Sequence, residues 1–154
     1  MRSLRHVLSW LLASLVIALV LHITIHPLPD PATGGVLLYD LPGENVFFAT
    51  LAERSGYPIF EPGARVVSGL ALLVISLLIF LPWTRRTGGL LSFFLFAAAL
   101  GAHLSPWLGR ELPITMGDVQ TGLDNGRHFT LMLVLLVSSL LVMIVHPGRK
   151  RREH

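Results

Sequence analysis

Residues 81–91 read "LPWTRRTGGLL", two arginines set between two of the most apolar stretches of a 154-residue chain that is only 14% charged. A turn on a soluble domain has no need of two adjacent like charges; Lys, Glu or Asn would serve as well. At the edge of a bilayer the same pair is a topological signal, because basic residues are retained beside the anionic inner leaflet. What flanks the pair therefore decides the fold.

Upstream lies "RVVSGLALLVISLLIFL", residues 65–81, and downstream "GGLLSFFLFAAALGAHL", residues 88–104. Two further runs match them, "VLSWLLASLVIALVLHITI" at 7–25 and "FTLMLVLLVSSLLVMIV" at 129–145. At about 1.5 Å rise per residue each spans roughly 26 to 29 Å as a helix, close to the hydrocarbon thickness of a bilayer. None has the alternating polar face of a soluble amphipathic helix, and continuous apolar runs of this length are not expected of strands. The link "PWTRRT" leaves room only for a tight turn, so the second and third runs form an antiparallel hairpin, ended by Pro82 and reopened by Gly88–Gly89.

The composition agrees. Hydrophobic residues make up 53% of the chain, more than a domain of this size hides from water. The chain has no cysteine, which excludes a disulfide framework, thiolate metal sites, a Cys nucleophile and CxxC redox chemistry. A net charge of +3 with a pI near 10.2 invites a nucleic-acid reading, but the basic residues gather at the termini and the central turn. That placement suits an anionic membrane face, and no nucleic-acid partner is expected.

Eight of the twelve Lys and Arg fall on one side of the four runs: Arg2, Arg5, Arg85, Arg86, Arg149, Lys150, Arg151 and Arg152. The other side holds Arg54, Arg65, Arg110 and Arg127 with eight of the nine acids. The positive-inside rule then places both termini and the Arg85–Arg86 turn in the cytoplasm. "MRSLRH" before an apolar run also has the form of a secretory n-region. The run is long for a signal h-region and "LHITIHPLPDP" lacks an A-x-A site, so it is read as a retained anchor. The expected architecture is an all-α integral membrane four-helix bundle with both termini cytoplasmic, in a bacterial inner membrane.

Two outer segments complete it. Residues 26–64 begin with "HPLPDPATGG" and continue into "ENVFFATLAERSGYPIF", apolar enough to lie on the membrane surface as a short helix or to cap the bundle. Residues 105–128 read as mixed loop, with Trp107 placed for the interface. Small residues recur four apart at Ser9/Ala13, Ser14/Ala18, Gly88/Ser92, Ala97/Gly101 and Ala98/Ala102. Such pairs let helix backbones approach closely, either within one bundle or across a homodimer face.

No phosphate-binding loop, HExxH, GxSxG or paired-carboxylate motif occurs, and no acid lies within an apolar run. Ion-coupled transport, which needs ionisable groups at membrane depth, is disfavoured. What the sequence offers instead is a layer. His22 near the end of the first helix, Arg65 at the start of the second, His103 at the end of the third and His128 at the start of the fourth all fall near the outer boundary; His26 follows His22 by four residues. Imidazole can ligate haem iron, hydrogen-bond a quinone or carry a proton, and arginine can hold a carboxylate, a haem propionate or a lipid phosphate. The competing reading is structural: histidine is cheap at the water boundary, and Arg65 can pair with Glu61 one turn earlier. His6, His146 and His154 fall among arginines on the inner side and read as solvated.

Residues 64–104 resemble the DoxX family of small bacterial four-helix membrane proteins. The resemblance rests on the Arg-x-x-Ser-Gly opening at Arg65, Ser68 and Gly69, the turn from Pro82 to Arg86, the Gly-rich start of the next helix, and the Gly-Ala-His-Leu ending at 101–104. With "DNGRHFTLMLVLL" it covers roughly residues 45–146. It implies an inner-membrane bundle associated with quinone-linked sulfur oxidation or redox-defence complexes. Many relatives carry a glutamate three residues after that Gly, where this chain has Leu72. The expected role is thus an accessory or scaffold subunit in a membrane complex, with a quinone or lipid contact at the His/Arg layer. The alternatives are a haem-binding or quinone-reactive electron-transfer subunit using His22, His103 and His128, and a small-solute carrier acting as an oligomer.

Overall fold

A backbone in hydrocarbon can satisfy its polar groups only within itself, and long apolar runs do so as helices. A computed structural model gives the structure of residues 2–27, 36–37, 45–116 and 119–145. Within them lie five α-helices: α1 (Arg2–Thr24), α2 (Val46–Ser55), α3 (Gly63–Phe80), α4 (Arg85–His103) and α5 (Arg127–Val145). Three stretches are long and apolar enough to cross a membrane, Leu4–Thr24, Pro58–Phe80 and Arg127–Val145. α4 is as long as α5, 19 residues, but opens on Arg85, Arg86 and two glycines, which dilute its hydropathy.

The four long helices form a ring, α1 against α3 and α5, and α4 against α3 and α5. Each buries one stripe. On α1 it is Ser9, Ala13, Val16, Val20 and Thr24; on α4 it is Arg85, Gly88, Gly89, Ser92, Phe96, Leu100 and His103. The outward faces are more apolar than the stripes, with Leu11, Val67, Phe94 and Ile144 each more than 60% exposed. A water-soluble bundle has the opposite polarity, and outward faces of this kind suit contact with lipid. Ser9/Ala13 and Gly88/Ser92 lie on the buried stripes, whereas Ser14 and Ala18 are exposed. Where α4 meets α5, Ser139 Oγ donates to the Leu135 carbonyl at 2.6 Å, so Ser92 supplies the proton of the 2.7 Å Ser92–Ser139 hydrogen bond.

The arginine turn closes the end of α3. The last four carbonyls of a helix have no partner within it, and here each has one. Leu77 O accepts from Leu81 N at 3.1 Å, Leu78 O from Thr84 Oγ1 at 2.9 Å, Ile79 O from Arg85 Nε at 2.8 Å and Phe80 O from Arg85 Nη2 at 3.2 Å. Arg85 Nη1 reaches across to Ser9 Oγ at 3.0 Å, and the guanidinium lies 4.0 Å from the centre of the Trp10 ring. Arg85 is thus buried, α4 starts at Arg85 rather than at Gly88, and the side chain folds back to close α3 and tie it to α1. Positive charge at a helix C-terminus is also the sign its dipole favours. Arg86, by contrast, is exposed.

The chain is mostly helical, with short strands beside the helices. Two short antiparallel pairs are present, β1 (His26–Pro27) with β2 (Val36–Leu37), and β3 (Pro113–Met116) with β4 (Val119–Leu123). The second turns the segment read as mixed loop into a hairpin, closed at its base by Asp124 N donating to Leu112 O at 2.9 Å. α2 caps the bundle: Phe47 and Leu51 pack with Leu108, Leu112, Ala99 and Ala102 over the His103 end of α4. Arg149, Lys150, Arg151 and Arg152, with His146 and His154, lie outside the described residues.

Two substitutions test this account in detergent-solubilised protein. A Cβ on Gly88 would sit 2.8 Å from the Ile79 backbone nitrogen, so Gly88→Ala should destabilise by about 1–3 kcal/mol. Gly101→Ala, where nothing lies within 4 Å, should leave the melting temperature unchanged or raise it. Arg85→Lys should cost roughly 2 kcal/mol or more, because an ammonium cannot serve both α3 carbonyls and Ser9 while stacking on Trp10; a melting curve matching the wild type would refute that role.

Candidate functional site

The end of the bundle opposite Arg85 brings together three of the four residues expected in the outer layer. His103 closes α4, His128 opens α5, and Arg65 stands in the first turn of α3. His22 is not with them: it is exposed, off the buried stripe of α1, and Thr24 takes the inward position instead. The side chain of His26 lies outside the described residues.

His103 and His128 form a directed chain. His103 Nδ1 lies 2.8 Å from the Gly109 carbonyl, and His103 Nε2 lies 2.8 Å from His128 Nδ1. A carbonyl can only accept, so Nδ1 of His103 carries its hydrogen; in the neutral ring Nε2 is then a lone pair and accepts from His128 Nδ1–H. The same logic leaves the lone pair of His128 on Nε2. The carbonyl that sets this order belongs to Gly109, whose φ of 80° is left-handed backbone that glycine adopts without strain. Phe47 of α2 covers the pair, its ring centre 5.5 Å from His103 and 5.2 Å from His128. Phe129 meets the His103 ring edge-on at 5.7 Å.

His128 and Arg65 line one cavity of about 430 Å³ between α1, α2, α3, α4 and α5, within the size range of small-molecule sites. Its walls are mostly apolar, with Phe47, Phe48, Phe60, Leu72 and Phe96 among them, and its polar lining comes from Thr24, Asn45, Arg65, Ser68 and His128. Arg65 Nε donates to both oxygens of Glu61, at 2.7 and 3.0 Å. This is the i, i+4 pair expected from the sequence, and it neutralises the one arginine in the cavity wall.

Iron held between two imidazoles at bonds of about 2 Å would set their nitrogens about 4 Å apart. The 2.8 Å contact between His103 and His128 is a hydrogen bond, and both nitrogens of His103 are engaged. The pair therefore does not fit a bis-histidine haem, and His22 faces elsewhere.

Asp124 places His128. Its Oδ1 accepts from Leu112 N and Gly126 N and its Oδ2 from His128 N, all at 2.9 Å, so one carboxylate caps α5 and clamps the base of the β3–β4 hairpin. Burial alone would raise its pKa; the backbone N–H groups of His128, Leu112 and Gly126 outweigh it and hold the carboxyl below its ordinary value. Sequence reading missed Asp124, Gly109 and Phe47. The "LDNGRH" run did carry a signal for the first, an Asp three residues before the helix starts, followed by Asn-Gly.

Removing that carboxylate should loosen the site. Asp124→Ala leaves three N–H groups without their acceptor and should destabilise by about 1–3 kcal/mol. Because the folded carboxyl titrates below its unfolded value of roughly 3.9, its contribution is complete above that value and is lost as pH falls through the folded pKa. The wild type should therefore lose stability in that acid window more steeply than Asp124→Asn, and parallel melting-temperature profiles would refute this. In comparison with known proteins, the chain matches no family model, no curated protein and no solved structure.

Proposed function

We propose that this chain is a DoxX-like, four-span protein of a bacterial inner membrane that holds a neutral lipid-phase molecule of the quinone type at its outer end, as the accessory subunit of a redox or envelope complex. The observation that carries this reading is the cavity of about 430 Å³, apolar along most of its wall and edged by His128 and the Arg65–Glu61 pair. A ligand arriving through lipid needs apolar walls and a few fixed polar groups, and this cavity offers both.

Several features support the wider frame. α4 packs against both α3 and α5, which supports reading it as a fourth span beside the three apolar ones. Arg85 and Arg86 stand at one end, and the cavity with the described acids Glu53, Glu61, Glu111 and Asp124 at the other, which favours termini in the cytoplasm and the cavity outside. Trp107 meets Tyr57 edge-on with ring centres 6.4 Å apart near that outer end, where amphipathic rings favour the membrane interface.

Binding of a short-chain benzoquinone to the protein in nanodiscs tests the proposal. Ala98 lines the cavity yet is exposed on the outer face of α4, so Ala98→Trp should obstruct the opening without disturbing the core. An affinity loss of tenfold or more is expected, with no change for Ala18→Trp on the exposed face of α1. Equal affinities in both variants, or no saturable binding of either the benzoquinone or its quinol to the wild type, would reject the reading.

A further inference from the structure

Of the five polar residues that line the cavity, Asn45 and Arg65 carry N–H donors engaged with partners of their own, and the other three share one polarity. Thr24 Oγ1 donates its proton to Val20 O at 2.7 Å, and Ser68 Oγ donates to Arg65 O at 2.9 Å. Each hydroxyl is left with lone pairs to offer. His128 has given its Nδ1 hydrogen to His103, whose own hydrogen is committed to Gly109, and it too keeps only the Nε2 lone pair. Three lining groups from α1, α3 and α5 have thus spent their protons within the protein.

From this we infer that the cavity selects a hydrogen-bond donor, a neutral phenolic hydroxyl on an apolar body, over the carbonyl form of the same ring. The inference rests on the cavity being a ligand site, as proposed above. A carbonyl placed against His128 Nε2 sets lone pair against lone pair, and a buried acceptor left unpaired is costly. A phenol instead extends the chain by one link, from its O–H to His128 Nε2, on through His128 Nδ1–H to His103 Nε2, and from His103 Nδ1–H to Gly109 O. The flat body is matched by Phe47, Phe48, Phe60 and Phe96, all in the cavity wall. Because Arg65 is paired with Glu61, no net charge is demanded of the ligand. The chain ends on a backbone carbonyl, which cannot pass a proton onward, so its work is recognition and not conduction.

A matched pair of probes tests this. Binding of a para-alkylphenol and of its methyl ether is measured on the protein in nanodiscs, with empty nanodiscs to remove partitioning into lipid. The phenol should bind at least tenfold tighter than the ether, and tighter than the alkyl benzoquinone of the same size; His128→Phe should bring the phenol-to-ether ratio near one. In the wild type, ¹⁵N-histidine NMR should show an unprotonated His128 Nε2 whose signal moves with the phenol and not with the ether, which keeps the test independent of how any variant folds. Equal binding of phenol and ether, tighter binding of the quinone, or a protonated Nε2 in the ligand-free protein would overturn the donor preference while leaving the cavity as a binding site. No saturable binding of any probe would overturn the cavity reading itself.

Discussion

Hydrocarbon gives helices no reason to associate through burial of oily side chains, and it offers an unpaired peptide group nothing to bond with. What holds this bundle is therefore close backbone approach and completed polar contact. Arg85 supplies both at one point. By bonding Ile79 O, Phe80 O and Ser9 Oγ while lying over Trp10, it closes the end of α3, fixes the turn and ties in α1. Gly88 lets the two helices of the hairpin meet at backbone distance. The burial of Ser9, Ser92 and Ser139 and the exposure of Leu11, Leu70 and Leu77 follow from the same constraint.

That contact reaches the far end of the molecule because one helix carries both. Arg85, Gly88, Gly89, Ser92, Phe96, Leu100 and His103 all lie on the buried stripe of α4. Fixing Arg85 under α3 and Ser92 against Ser139 sets the rotation of the helix, and the rotation decides that His103 faces α5 and not lipid. Asp124 does the complementary job from outside, setting where α5 begins and so where His128 stands. The two imidazoles meet because separate caps at separate helix ends bring them to one place.

Much of this frame was legible in the residues. The apolar runs announced the long helices, and their boundaries moved only a few residues, chiefly where Arg2 and Arg85 joined helices drawn to start later. The role of Arg85 was not legible, because a rule that counts charge on each side of a membrane says nothing about where a guanidinium bends. The departure of His22 was legible in part: α1 buries Ser9, Ala13, Val16, Val20 and Thr24, and position 22 falls off that repeat. Continuing the helical repeat through Ser9, Ala13, Val16 and Val20 leads to Thr24. The β3–β4 pair also had its sign, since Ile114, Thr115, Val119 and Thr121 are strand formers. The His103–His128 bond had none, being a contact between helices 25 residues apart in sequence.

A pair of histidines bonded to each other is, taken alone, what a membrane protein does with polar groups it must bury, each satisfying the other. Three neutral acceptors in succession would be unstable; the Gly109 carbonyl starts the series and every later hydrogen points the same way along it. A series with a fixed beginning must have an open end, and here the open end is a lone pair on a residue that lines an apolar cavity. Had Gly109 presented an N–H instead, the order would reverse and the cavity would face a donor. The chemical preference proposed for the pocket thus traces to the orientation of one peptide group, and that orientation traces to a glycine free to adopt left-handed backbone where the chain leaves α4.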